Sequence, residues 1–105
     1  MNGLERVLAA VHFQSTDRVP LVPQLYGHAA MIAGVRLKDY VRDGDLLAQC
    51  QLAAQARYGH DAVFAFMDLS VETEAMGSTL RYADGIYPDV ANYVLKVGED
   101  AARLG

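Results

Sequence analysis

The sequence predicts an α/β chain whose strands run parallel, and three observations carry that expectation. Val63–Met67 is a short, unbroken apolar run, which suits a strand buried on both faces. A long helix pattern precedes it, with Asp43 and Asp45 as candidate N-caps, Tyr58 as its last residue and Gly59 as its terminator. An earlier apolar run, Val19–Gln24, also follows a helix pattern. Helix, strand, helices, long helix and strand therefore succeed one another as αβ units feeding one sheet.

Taken in order, Leu4, Val7, Leu8 and Val11 recur at helical spacing, and Asn2 with Glu5 has the form of a capping box. This predicts an amphipathic helix over Leu4–Phe13. Ser15–Arg18 is a polar turn. Val19–Gln24 holds Pro20 and Pro23, which cannot donate to a β ladder, so it is a short edge strand or an extended segment. Tyr26–Ala33 is a helix of small residues closed by Gly34, and Leu37–Val41 adds a short helical turn. The long helix has Leu46, Leu47, Cys50, Ala53, Ala54 and Tyr58 as its buried stripe. Glu72–Ala75 fits a helix or an extended loop. Thr79–Tyr82 reads as a brief strand, Ala83–Val90 as a turn-rich loop with Gly85 and Pro88, and Asn92–Val97 as a loose alternation. Glu99–Leu104 starts a helix of about six residues, too short to be stable without packing, so the chain reads as cut there.

The 105 residues make one domain, with no repeat and no linker. At 52% hydrophobic and 21% charged, the composition is that of a soluble globular protein with enough apolar material for a core. A net charge of -4, with nine Lys and Arg scattered along the chain, argues against nucleic acid. No apolar run is long enough to span a bilayer, and the N-terminus lacks the basic-then-apolar order of a signal peptide. The single cysteine, Cys50, forms no internal disulfide and fits a reducing compartment, so the expected location is cytoplasmic. Two convincing strands and one weak one cannot close a barrel and leave two sheet edges exposed. A second copy is the simplest cover, which predicts a homo-oligomer.

No metal site is predicted, because His12, His28 and His60 share no ligand spacing with one another or with Cys50. No glycine loop has phosphate-cradling spacing, and no serine sits in a nucleophile elbow. The carboxylates are the candidates. Asp68 ends the apolar run, where the carboxyl ends of strands in α/β folds carry ligands, and it suits a general acid or a counter-charge for a cationic substrate atom. Glu72 and Glu74 would alternate faces if extended, so only one could point with Asp68. Gln24, Tyr26 and His28 follow the first run and are expected at the same rim. The competing reading makes Tyr26 a core residue, His28 a helix cap and the glutamates solvated loop charges.

Asp17–Pro23 (D-R-V-P-L-V-P), Tyr58–Val63 (Y-G-H-D-A-V) and Asp68–Gly77 (D-L-S-V-E-T-E-A-M-G) together resemble the start of the uroporphyrinogen decarboxylase superfamily. The resemblance covers most of this chain but only the opening third of such a protein. It implies the N-terminal part of a (β/α)8 TIM barrel, incomplete, with two to three parallel strands and flanking helices. It also implies that residues 1–105 are a truncated portion of that barrel, not active alone. Asp68 matches the aspartate that hydrogen-bonds the pyrrole nitrogens in the decarboxylases of haem biosynthesis. The arginine-bearing run that follows the first strand of those enzymes is missing here, since Gln24–Val35 holds no arginine. The V-E-T-E-A-M-G version looks like the corrinoid-linked methyltransferase branch, the family of methylcobalamin:coenzyme M methyltransferases. That branch implies a full-length protein moving a methyl group from a corrinoid to a thiol or similar acceptor. Its zinc ligands would lie in the later two-thirds of the barrel, and its partners would be a corrinoid protein or a small methyl acceptor. Asp68 would act in catalysis, with Gln24, Tyr26, His28 and Glu72 at the rim. Tetrapyrrole decarboxylation and a non-catalytic, self-associating module are the alternatives.

Overall fold

The expected capping box forms. Glu5 N–H donates to Asn2 Oδ1 at 2.9 Å, and Asn2 N–H donates to Glu5 Oε2 at 2.8 Å. It starts α1 (Gly3–Val11) of a computed structural model that describes residues 1–96, 98 and 101–104. The apolar stripe of α1 does not face a core, however. Leu4, Leu8 and Val11 are exposed, and the buried residues are Arg6 and Ala9. Arg6 turns inward because Asp17 and Asp61 wait there, and a buried guanidinium needs such partners. The helix can approach because its first residue is glycine: a Cβ on Gly3 would lie 2.8 Å from the Asp61 carbonyl oxygen.

The core lies between the next three helices, α2 (Gly27–Ala33), α3 (Leu37–Tyr40) and α4 (Gly44–Tyr58). Ala29 and Ala30 let α2 sit close against α4, where Leu47, Cys50 and Ala54 are buried, with Tyr40 and Val41 closing the cluster. Asp43 caps α4 by accepting from Asp45 N–H and Leu46 N–H, and Gly59 ends it at φ 67. The predicted stripe needs correction at its edges. Leu46 is half-buried, Ala53 and Tyr58 are exposed, and Gln51 is buried instead. Gln51 can be inside because its Nε2 donates to Tyr40 Oη at 2.9 Å.

The parallel sheet is not formed among the described residues. The strands present are β1 (Thr79–Arg81) and β2 (Asp89–Asn92), paired antiparallel with Leu80 opposite Val90 and Arg81 opposite Asp89. β2 thus takes the end of the expected loop over Ala83–Val90 and the start of the Asn92–Val97 alternation, whose last residue lies outside the described ones. Val19–Gln24 and Val63–Met67 have no regular secondary structure. Pro20 and Pro23 lack the N–H groups a ladder would use. The two segments still run side by side. Asp61 N–H donates to Leu21 O at 2.7 Å, and five residues on in each segment the rings of Tyr26 and Phe66 meet with centroids 5.0 Å apart. The contacts advance together, so the segments point the same way.

Glu72–Ala75 resolves as helix α5 (Val71–Ala75), and Ala101–Leu104 as a turn of 3₁₀ helix. Residues 99 and 100, where the last helix was expected to begin, lie outside the described ones. The Cα extents are 54 × 34 × 18 Å. The outer apolar face of α1, with Leu4, Leu8 and Val11, is left uncovered among the described residues. No helix among the described residues is long and apolar enough to cross a membrane.

Candidate functional site

Asp61 opens the segment that ends at Asp68, and it is anchored at that first end. Its carboxylate accepts from Arg6 Nη1, from Arg18 Nη1 at 2.7 Å and from Leu21 N–H at 2.8 Å. Arg6 also donates to Asp17 through Nε and Nη2, at 2.6 and 2.8 Å. The shared charges move the titrations apart. The hydrogen bonds to Asp17 hold the Arg6 guanidinium far above its usual range, and those same bonds from Arg6 hold Asp17 well below the carboxylate range. Asp61 is lowered first by the Leu21 N–H and then by the two arginines, against an opposing desolvation.

At the other end of the segment a cavity of about 360 Å³ is lined by Tyr26, Phe66, Asp68, Leu69, Tyr87 and Pro88. Asp68 is 5% exposed, and its Oδ1 accepts from Ser70 N–H at 2.5 Å, a local turn that leads into α5. Ser70 Oγ donates to Pro88 O at 3.3 Å and so ties the two loops of the cavity together. Tyr26 has φ 40 and ψ -127, a region that a bulky residue enters only at a cost in strain. Its ring meets that of Phe66 at an interplanar angle of 51°. The next residue, Gly27, donates its N–H to Tyr87 Oη at 2.7 Å. A Cβ there would fall 2.8 Å from that oxygen and 2.9 Å from Leu37 Cδ1, so only glycine lets Tyr87 close over this wall.

Beside the cavity, Tyr82 Oη donates to Glu74 Oε2 at 3.0 Å, and the Arg42 guanidinium lies 4.6 Å from the Tyr82 ring centroid. Burial pushes the Tyr82 phenol up, with smaller contributions from Glu74 and Asp68, so it keeps its proton at neutral pH.

Of the residues proposed from sequence, Tyr26 and Asp68 are brought together. Gln24 is exposed and outside the lining, and Glu72 is exposed on α5. His28 is also exposed; its Nε2 lies 2.9 Å from Tyr58 Oη, and the two rings stack at 5.9 Å. Both belong to a separate cavity of about 460 Å³ with Pro20, Leu21, Val22, Pro23, Leu25 and His60. His60 is buried, and neither ring nitrogen has a partner among the described residues. Phe66, Leu69, Tyr87 and Pro88 were not singled out from sequence. Phe66 read as strand core, and nothing local ties Tyr87 to Gly27 across sixty positions. The donor set among the described residues does not fit zinc, since no three His, Cys, Asp or Glu side chains come together.

A family model described as uroporphyrinogen decarboxylase (URO-D) matches residues 2–105. A protein of Magnetococcus marinus named uroporphyrinogen decarboxylase is 33% identical over 97 residues, an alignment covering 84% of this chain and 27% of that protein. The chain therefore spans about a quarter of the length of that relative. No solved structure matches the chain.

Proposed function

The chain belongs to the uroporphyrinogen decarboxylase family, and from that premise we propose that it carries the acid side of the substrate pocket in a corrinoid-dependent methyltransferase. The full-length protein would move a methyl group from a corrinoid to a thiol or similar acceptor. The observation that carries this reading is the lining of the Asp68 cavity: one buried carboxylate, three aromatic rings and two apolar residues, with no arginine or lysine. A tetrapyrrole bearing many carboxylates needs cations to hold it. The first arginine after Gln24 is Arg36, which lines a different cavity with Gly27, Ala30 and Asp84.

In this reading the corrinoid supplies the methyl group when bound. The chain's own residues bind and orient the acceptor. Ser70 N–H fixes the Asp68 carboxylate, which holds a hydrogen-bond donor or a positive centre of the acceptor at the end of the cavity. Tyr26 and Phe66 wall that end. A corrinoid protein would present the methyl donor.

Tetrapyrrole decarboxylation is the second reading, favoured by the name of the Magnetococcus relative. There Asp68 would accept from ring N–H groups. The two readings separate when the full-length protein is given methylcobalamin with a panel of thiols on one side and uroporphyrinogen on the other. Methyl transfer that falls at least tenfold with Asp68→Asn is the expected result. Uroporphyrinogen turnover without methyl transfer would replace this reading with the second.

A further inference from the structure

Asp68 is 5% exposed, and among the described residues no arginine, lysine or histidine forms an ion pair with it. Its hydrogen bond comes from the neutral Ser70 N–H. A carboxylate kept from water without a cation is costly, and buried charges are ordinarily paired. The remaining walls suggest the missing partner. Tyr26, Phe66 and Tyr87 surround the same space, and an aromatic face carries negative charge that attracts a cation. Tyr26 and Phe66 meet at 51°, so their faces form a corner and not a flat stack. Leu69 and Pro88 complete an apolar lining.

These features select among ligands. A metal ion finds only Asp68 among the carboxylate, histidine and cysteine side chains of the lining, and no three such groups come together among the described residues. A primary ammonium would need acceptors for all three of its N–H groups, and beside the Asp68 carboxylate the side chains of the lining offer only the phenol oxygens of Tyr26 and Tyr87, of which Tyr87 Oη already accepts from Gly27. A neutral apolar molecule leaves Asp68 unpaired. A methylated ammonium satisfies both demands: its charge faces the carboxylate, and its methyl groups, which need no hydrogen bonds, pack on the rings. A volume of about 360 Å³ accommodates such an ion.

We propose that the cavity formed by Tyr26, Phe66, Asp68 and Tyr87 binds a small methylated ammonium cation. This names the ligand class for the pocket of the proposed methyltransferase and rests on that function only for the ligand's role: the cation would be the anchoring group of an acceptor whose thiol takes the methyl group, since an ammonium nitrogen has no lone pair to accept one. The strain at Tyr26 is consistent with it, because that backbone conformation holds the ring on the cavity wall.

The test is an NMR titration of the full chain with choline and, separately, with its uncharged tert-butyl analogue, in which carbon replaces nitrogen. Choline should shift the Tyr26, Gly27, Leu69, Ser70 and Tyr87 amides saturably, and the analogue should bind about tenfold more weakly. Asp68→Asn should remove that preference. Tyr87→Leu and Phe66→Leu, which keep apolar bulk but lose a ring, should weaken choline binding severalfold while leaving the amide spectrum of α4 unchanged. Equal binding of the two probes, or no saturable shift with choline, overturns the proposal. If choline fails while the full-length protein shows Asp68-dependent methyl transfer, the cation site falls and the proposed reaction stands. If choline binds with the expected preference to a protein that transfers no methyl group, the cation site stands and the reaction falls.

Discussion

Arg6 and Asp61, 55 residues apart, join through Nη1 and Oδ1 at 2.5 Å, with side chains only 8% and 3% exposed. Asp17 on one side and Arg18 on the other complete the cluster. Removing Arg6 leaves Asp17 without its arginine partner and Asp61 with Arg18 alone, and frees α1 from the segment that leads to Asp68. Arg6→Ala is expected to lower the melting temperature clearly more than Arg36→Ala, whose exposed pair with Asp39 is a surface ion pair. Thermal unfolding followed by circular dichroism measures both, and equal shifts would contradict the anchoring role.

The same cluster sets an acid limit. Asp17 and Asp61 are both lowered in the folded chain, so they bind fewer protons there than when unfolded. Their contribution is fully present above the unfolded carboxylate value of about 3.9 and is lost as pH falls through the lowered values. Stability should therefore decline from about pH 5 downward, and the Asp17→Asn, Asp61→Asn double variant should show a shallower decline. Denaturant midpoints measured across that range give the slope.

Tyr87 acts on the cavity through the Gly27 backbone. Tyr87→Phe keeps the ring but loses the acceptor, for an expected cost of about 1 kcal/mol. Gly27→Ala drives a methyl group toward Tyr87 Oη and Leu37 Cδ1 and should cost about 1–3 kcal/mol. Urea unfolding of both variants reads the costs, and a neutral Gly27→Ala would mean that Tyr87 swings away freely.

Tyr40→Phe removes the acceptor that lets Gln51 be buried, leaving as the other acceptor the Tyr26 carbonyl at 3.5 Å from Gln51 Nε2. The expected loss is about 1–3 kcal/mol, the cost of an unsatisfied buried amide. A further Gln51→Leu change should recover part of it, and the double-mutant cycle reports the coupling.

The outer face of α1 carries Leu4, Leu8 and Val11, with Phe13 beyond it 99% exposed. A contiguous apolar surface of this kind favours association. The isolated chain should self-associate in light scattering, and a Leu4→Lys, Leu8→Lys variant should shift it toward monomer. A monodisperse monomer at high concentration would overturn the expectation.

How much of this was legible depends on the reach of each interaction. α4 could be read because its cap, the centre of its stripe and its terminating glycine lie in or next to the helix, whereas the burial of Gln51 depends on Tyr40 from outside it. The presence of α1 could be read from Asn2 and Glu5, but its orientation could not. Amphipathic spacing says which residues share a face; it does not say that Arg6 will find two acids elsewhere and turn the other face outward. The expected sheet failed at Pro20 and Pro23, a warning already written in the sequence, although the two runs do lie side by side in one direction. The meeting of Tyr26 with Asp68 followed from that arrangement. Tyr87 came from a distant loop, and no periodicity announces such a contact.

The backbone at Tyr26 has a bearing on how variants of this protein should be selected. Glycine takes up that conformation without penalty, so Tyr26→Gly would relax the chain while stripping one wall from the pocket. A screen that rewards only yield or heat resistance would be blind to the loss of that wall. Selections on this chain therefore need a ligand in the assay from the first round.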